Sequence, residues 1–252
     1  MQSIIRYRIC GLHAGKDMRM PRGIQKKGIV REKKMLYAAI QQFLENGYER
    51  TTTAAIAKAA GMAPSSFFAA FENKEALLLR LVQEMFHSQF FQSEALLPGN
   101  GDPVFLYSIE TSLQLHITEI SEALRELYVA AYTLPTTSEY INVNTAKKLQ
   151  QLFAEYLPDA TEKDFYEMDL ASCGITRNFM ARPCSVYFTI EDKISRYLSC
   201  CLTLYHVPEK KQRDIIDSIL SMDLRTIAEK LIEDTIDRAE KGFESAGITK
   251  RD

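Results

Sequence analysis

The chain has 252 residues, 46% of them apolar and 25% charged, with no tryptophan and a net charge of −2. That is an ordinary globular composition with material for a core, and no run approaches the ~20 apolar residues of a membrane span. Five cysteines, an odd number without C-x-x-C spacing, do not read as a zinc site or a disulfide framework, and thiols in a reducing cytoplasm are the expectation.

In chain order, residues 1–20 come first as a disordered or non-native extension, because Met18 and Met20 each fit a start and Met20-Pro21-Arg22 opens a basic arm. Arg22, Lys26, Lys27 and Arg31 stand at or just before the first helix. Leu36, Ile40, Phe43 and Leu44 give its i, i+4, i+7, i+8 stripe, and Asn46-Gly47 is a C-terminal cap. Thr51, Thr52 and Thr53 are N-cap material for a second helix near Thr53 to Ala60, which Gly61 ends. Pro64 suits the first position of a third helix, Pro64 to Phe71, since proline lacks only an amide that would be orphaned there. Asn73 caps a fourth helix running toward Glu94.

Leu97-Pro98-Gly99-Asn100-Gly101-Asp102-Pro103 is the clearest break in the chain. Beyond it, helical periodicity is interrupted at Leu134-Pro135, Leu157-Pro158, Arg182-Pro183 and Val207-Pro208, the spacing of a helical bundle. The expected organisation is therefore all-α, with a helix-turn-helix domain over 21–73 and a helical domain over 74–252. Two apolar stripes are candidates for a seam between copies of the chain: Ile194, Tyr197, Leu198 and Cys201, and Leu224, Ile227, Ala228, Leu231, Ile232 and Ile236. An intramolecular core is the competing reading of both.

Two short helices joined by a glycine-containing turn, here Ala60-Gly61-Met62-Ala63, form a helix-turn-helix, whose second helix enters the major groove of DNA. Ser65 and Ser66 stand at the N-terminal end of that helix. The charge distribution agrees: residues 1–90 hold 14 Lys/Arg against 7 Asp/Glu, and residues 91–252 hold 17 against 26. A basic third beside an acidic remainder suggests that one end meets a polyanion, and an uneven solvated surface is the plain alternative.

The longer string is more specific. Asn46-Gly47-Tyr48-Glu49-Arg50-Thr51-Thr52-Thr53, then Ile56-Ala57, Ala60-Gly61-Met62, Phe67-Phe68, Phe71 and Asn73-Lys74-Glu75-Ala76-Leu77 resembles the DNA-binding domain of the tetracycline-repressor (TetR) family over about Lys27 to Met85. The resemblance implies an N-terminal three-helix DNA-binding domain and a C-terminal bundle for dimerisation and ligand binding. It implies a homodimer on double-stranded operator DNA, released by an unknown small-molecule effector, with repression the usual mode. It also implies that Thr52 and Thr53 lie near a phosphate, that Pro64, Ser65, Ser66 and Phe68 form the DNA face, and that Lys74 touches a phosphate by amide or ammonium. Lys26 and Lys27 of the arm join that set. Departures stand out: Phe68 replaces a usual tyrosine, Ala69 and Ala70 replace positions that are often polar, and Ala63 forgoes a capping hydroxyl.

For a pocket, Tyr107, His116, Tyr128, Tyr132, Arg177, Phe179 and Tyr187 qualify by type alone. No catalytic residue, cofactor or metal site is expected, because the four histidines lack ligand spacing and no glycine-rich phosphate loop is present. An effector-free DNA-binding module and a helical enzyme are the competing classes.

Overall fold

A computed structural model describes residues 22–96 and 101–245. Among them are eleven helices and no strand: α1 (Arg22–Asn46), α2 (Thr53–Ala59), α3 (Ser65–Phe68), α4 (Lys74–Leu96), α5 (Pro103–Ile120), α6 (Glu122–Ala131), α7 (Pro135–Leu152), α8 (Glu162–Ala181), α9 (Ile190–Leu204), α10 (Glu209–Leu220) and α11 (Leu224–Ser245). Residues 1–20, expected as an extension, lie outside the described residues.

The ends of these helices follow from local chemistry. Gly47 takes φ +80° at the end of α1, a left-handed conformation that costs glycine nothing, and its amide donates to the Phe43 carbonyl at 2.9 Å. α2 closes in a Schellman motif: the Gly61 amide donates to Lys58 O (3.0 Å), the Met62 amide to Ala57 O (2.9 Å), and Gly61 takes φ +70°. The Asn73 side chain accepts from the Ala76 amide (2.8 Å) and caps α4. Farther on, Pro103 and Pro135 open α5 and α7, while capping boxes at Thr161/Asp164 and Thr189/Asp192 open α8 and α9.

Burial separates two cores. One holds Met35, Leu36, Ala39 and Phe43 of α1, Ile56 and Ala57 of α2, Phe67, Phe71, and Leu77, Leu78, Leu81 and Val82 of α4. It therefore runs past residue 73 into the first half of α4. The other fills α5–α11 around Phe153 stacked on Tyr205, with ring centroids 4.3 Å apart and Tyr107 edge-on to both. α6 and α7 touch both cores, through Ala130, Ala131 and Ile141 on the N-terminal side.

Two expectations change. The third helix is shorter than Pro64 to Phe71: regular α geometry covers Ser65–Phe68, with Pro64 as its cap residue. Without a capping hydroxyl at Ala63, the entry is a tight turn in which the Ser66 and Phe67 amides donate to Ala63 O and Pro64 O. The stripes proposed for a seam are spent inside the chain. Ile194, Tyr197, Leu198 and Cys201 are buried, as are Leu224 and Ala228, with Ile227, Leu231 and Ile232 packed against the same core. α11 lies along α5 and α1 of its own chain.

Candidate nucleic-acid interface

Three consecutive threonines divide the labour at the α1–α2 corner. The buried Thr51 hydroxyl donates back to Gly47 O at 2.7 Å, with Gln42 O at 3.0 Å, tying the turn after α1 onto the end of that helix. Exposed Thr52 caps α2, its hydroxyl accepting the Ala55 amide at 3.1 Å. Thr53 is the first helical residue. On α3, Phe67 is fully buried, whereas its neighbour Phe68 is 63% exposed. Pro64, Ser65 and Ala69 are exposed too, and Ser66 is half-buried. The helix-turn-helix thus presents short hydroxyls, a proline and one aromatic ring to solvent. Lys26 and Lys27 fall in the first turns of α1, and their side chains lie outside the described set.

Lys74 is held inward. Its ammonium donates to Tyr48 O (2.8 Å), Thr51 O (3.1 Å) and Glu49 O (3.4 Å), and sits 4.2 Å from the Tyr48 ring centroid. Burial, followed by the nearby Glu75 and Glu49 carboxylates, raises the Tyr48 phenol to about 12, so the ring under the ammonium stays neutral. The side chain that the sequence pattern offers to a phosphate ties α4 to the α1–α2 corner. Its backbone amide, at the start of α4, is the part left for an anion.

Three links fasten this domain to the C-terminal bundle, and sequence reasoning missed all of them. The Glu126 carboxylate of α6 accepts the Glu49 amide at 2.5 Å and packs against Gly47, where a Cβ would overlap it. Glu75 of α4 accepts the Thr136 amide at the start of α7 (2.8 Å). Tyr37 of α1 donates to Glu240 of α11 (2.8 Å). Nothing in the spacing distinguishes these acids from the many solvated ones.

Between the domains lies a cavity of about 320 Å³, lined by α1, α4, α5, α6, α7 and α11. Of the residues suggested by type, Tyr128 and Tyr132 line it. Tyr107 belongs to the aromatic stack, and Tyr187 is 94% exposed. Among the described residues no group of three or more His, Cys, Asp or Glu side chains is placed to hold a metal ion, and no helix is long and apolar enough to cross a membrane.

A tight glycine turn, a core shared with α6 and α7 and a solvent-facing second helix make α1–α4 a helix-turn-helix unit. Residues 35–81 match the model of the bacterial regulatory proteins, tetR family. An uncharacterized HTH-type transcriptional regulator of Bacillus subtilis (strain 168), YdgC, is 34% identical over 79 residues, which are 31% of this chain and 40% of that protein. The match thus spans about 40% of the length of that curated relative. The likeness to tetR-family regulators is thus one of the N-terminal helix-turn-helix domain, over residues 35–81.

Proposed function

We propose that the chain is a DNA-binding transcriptional regulator, a homodimer that occupies an operator and leaves it when a small molecule binds. The observation that carries this reading is the exposure of α3 beside a buried Phe67: the helix is anchored on one side and bare on the other. Thr52 and Thr53 would approach one phosphate and the Lys74 amide another. Pro64, Ser65, Ser66 and Phe68 would lie along the major groove, and Lys26 and Lys27 would add phosphate contacts. Four helical residues supply little specific affinity alone. Two copies on a palindrome, spaced by about 34–36 Å, supply enough.

With α9 and α11 committed to the chain's own core, the seam falls elsewhere. Exposed Leu170 on α8 and exposed Val186 and Tyr187 in the turn joining α8 to α9 are apolar groups of the C-terminal part open to a partner copy. The cavity favours an effector-responsive regulator over an effector-free DNA-binding module. A mobility-shift titration against promoter fragments, beginning with the chain's own gene, tests the reading. Expected is saturable binding to one fragment in excess of competitor DNA. Equal binding to every fragment would overturn it.

A further inference from the structure

We infer that the cavity between the two domains takes an uncharged, mainly hydrocarbon ligand with one hydrogen-bonding head group, and that α6 carries its occupancy to the α1–α2 corner through Glu126. The inference deepens the proposed effector response and rests on that reading only for its consequence on DNA.

The wall chemistry sets the ligand class. Ile40 of α1, Leu78 and Leu81 of α4, Leu127 and Ala131 of α6 and Ile232 of α11 give an apolar surface. Among the described residues lining the cavity there is no Lys, Arg or His. The lining acid, Glu84, is half-exposed and paired with Arg80 at 3.1 Å, so it offers no buried counter-charge. An ion placed here would lose its hydration without a partner. Hydroxyls of Tyr128 and Thr235 also line the wall, the latter donating to Leu231 O at 2.7 Å, and the main polar spot is a pair: the Tyr132 hydroxyl donates to Gln114 Oε1 at 3.0 Å, and the Gln114 amide nitrogen stands beside them as a donor. Burial raises the Tyr132 phenol well above its ordinary value and keeps it neutral. An alcohol, ketone or ester oxygen matches this spot, and a volume of about 320 Å³ suits a compact molecule.

The same short helix touches both ends of the path. α6 lines the cavity with Leu124, Leu127, Tyr128 and Ala131, followed by its C-cap residue Tyr132, while Glu126 on that helix holds the Glu49 amide and abuts Gly47. A ligand that displaces α6 must move or break that contact, so its preference for one arrangement biases the reading head.

The test needs no DNA, so its failure is distinguishable from failure of the regulator reading. The full chain is loaded with the neutral dye N-phenyl-1-naphthylamine, which is displaced by 1-decanol, decanoate or decylamine. Decanol should displace it at a concentration lower by at least about tenfold than either charged analogue. Equal or better displacement by an ion would overturn the ligand class. Ala131→Phe fills the space and should abolish dye and decanol binding with the helical circular dichroism retained. Undiminished binding in that folded variant would overturn the site. Gln114→Leu, which keeps the shape, should weaken decanol about fivefold and leave the dye unchanged, the size of one neutral hydrogen bond. An unaltered decanol affinity would remove the head-group assignment. Saturating decanol should change hydrogen exchange over residues 47–53 in the wild type and not in Glu126→Ala. The same exchange with and without decanol in the wild type would overturn the coupling.

Discussion

The helix-turn-helix and the C-terminal bundle are held by different kinds of contact. In the first, each chain reversal is closed by a neighbour within a few residues: Gly47 and Thr51 at the end of α1, Thr52 at the start of α2, Gly61 and Met62 behind it, Asn73 before α4. In the second, caps open the helices, but the interior depends on distant polar pairs. Buried Lys193 bonds Glu119 and the Arg182 carbonyl, both at 2.5 Å, across 74 and 11 residues. The Tyr205 hydroxyl donates to Ser172 (2.9 Å), which itself donates to buried Asp169 (2.8 Å). Local closure leaves a spacing pattern, and long-range pairing does not. The family resemblance accordingly rests on the first region alone.

The contrast can be broken most forcefully at the adjacent phenylalanines of α3. Phe67→Ala removes a fully buried ring and should cost about 3–5 kcal/mol of stability. Phe68→Ala, on the exposed side, should change stability by less than about 1 kcal/mol, as surface substitutions do, and weaken DNA binding instead. Chemical denaturation of both variants decides it, and equal losses would deny that α3 has a core side and a free side.

The bundle's polar interior is tested at Asp169. Burial raises its carboxyl from the ordinary 3.8 to about 6, with the Ser172 and Cys173 donors opposing the shift. Between those values the folded chain holds a proton that the unfolded chain releases, so stability should fall as pH rises through that window and then level. At ~1.4 kcal/mol per pH unit, Asp169→Asn should gain up to about 3 kcal/mol at pH 7 and flatten the slope between pH 4 and 6. Melting curves across pH would show it, and an unchanged slope would contradict the assignment.

A smaller effect sharpens the corner of α1 and α2. Lys74→Met deletes a charged donor shared by three carbonyls and should lose about 2 kcal/mol. The salt dependence of DNA binding should barely move, because the ammonium is already engaged. A slope flattened by about one unit would instead place that ammonium on a phosphate. Smallest is Thr52→Ala, at about 1 kcal/mol for a lost N-cap, read from its denaturation midpoint.

The parts legible in the sequence are those with a local cause. Gly47, Gly61, the threonines and Asn73 placed the end of α1, both ends of α2 and the start of α4 within a residue or two, and prolines marked the starts of α7 and α10, but the break between α5 and α6 at Ser121 carries no such signal and α1 begins at Arg22, ahead of the expected start. The third helix came out short at its C-terminal end, where the Ala70 and Phe71 amides both turn back to Phe67 O, a closure no residue type in the sequence announces. Periodicity located α9 and α11 but could not say what their apolar stripes face, since a stripe covered by a neighbouring helix reads like one awaiting a second copy. The roles of Glu126, Glu75 and Glu240 were invisible for the same reason: a carboxylate that meets a distant amide or hydroxyl looks like any surface acid.

The central claim is that α3 reads DNA from a helix-turn-helix whose own fold does not depend on its exposed residues. Fluorescence anisotropy of the full chain on a promoter fragment, compared with a variant carrying Ser65→Ala, Ser66→Ala and Phe68→Ala, tests it most directly. The account predicts saturable binding whose logarithm falls linearly with the logarithm of salt concentration. It also predicts an affinity at least about tenfold weaker in the variant, with no more than ~1 kcal/mol lost in stability. Undiminished affinity in a folded variant, or no fragment bound more tightly than competitor DNA by the wild type, would contradict it.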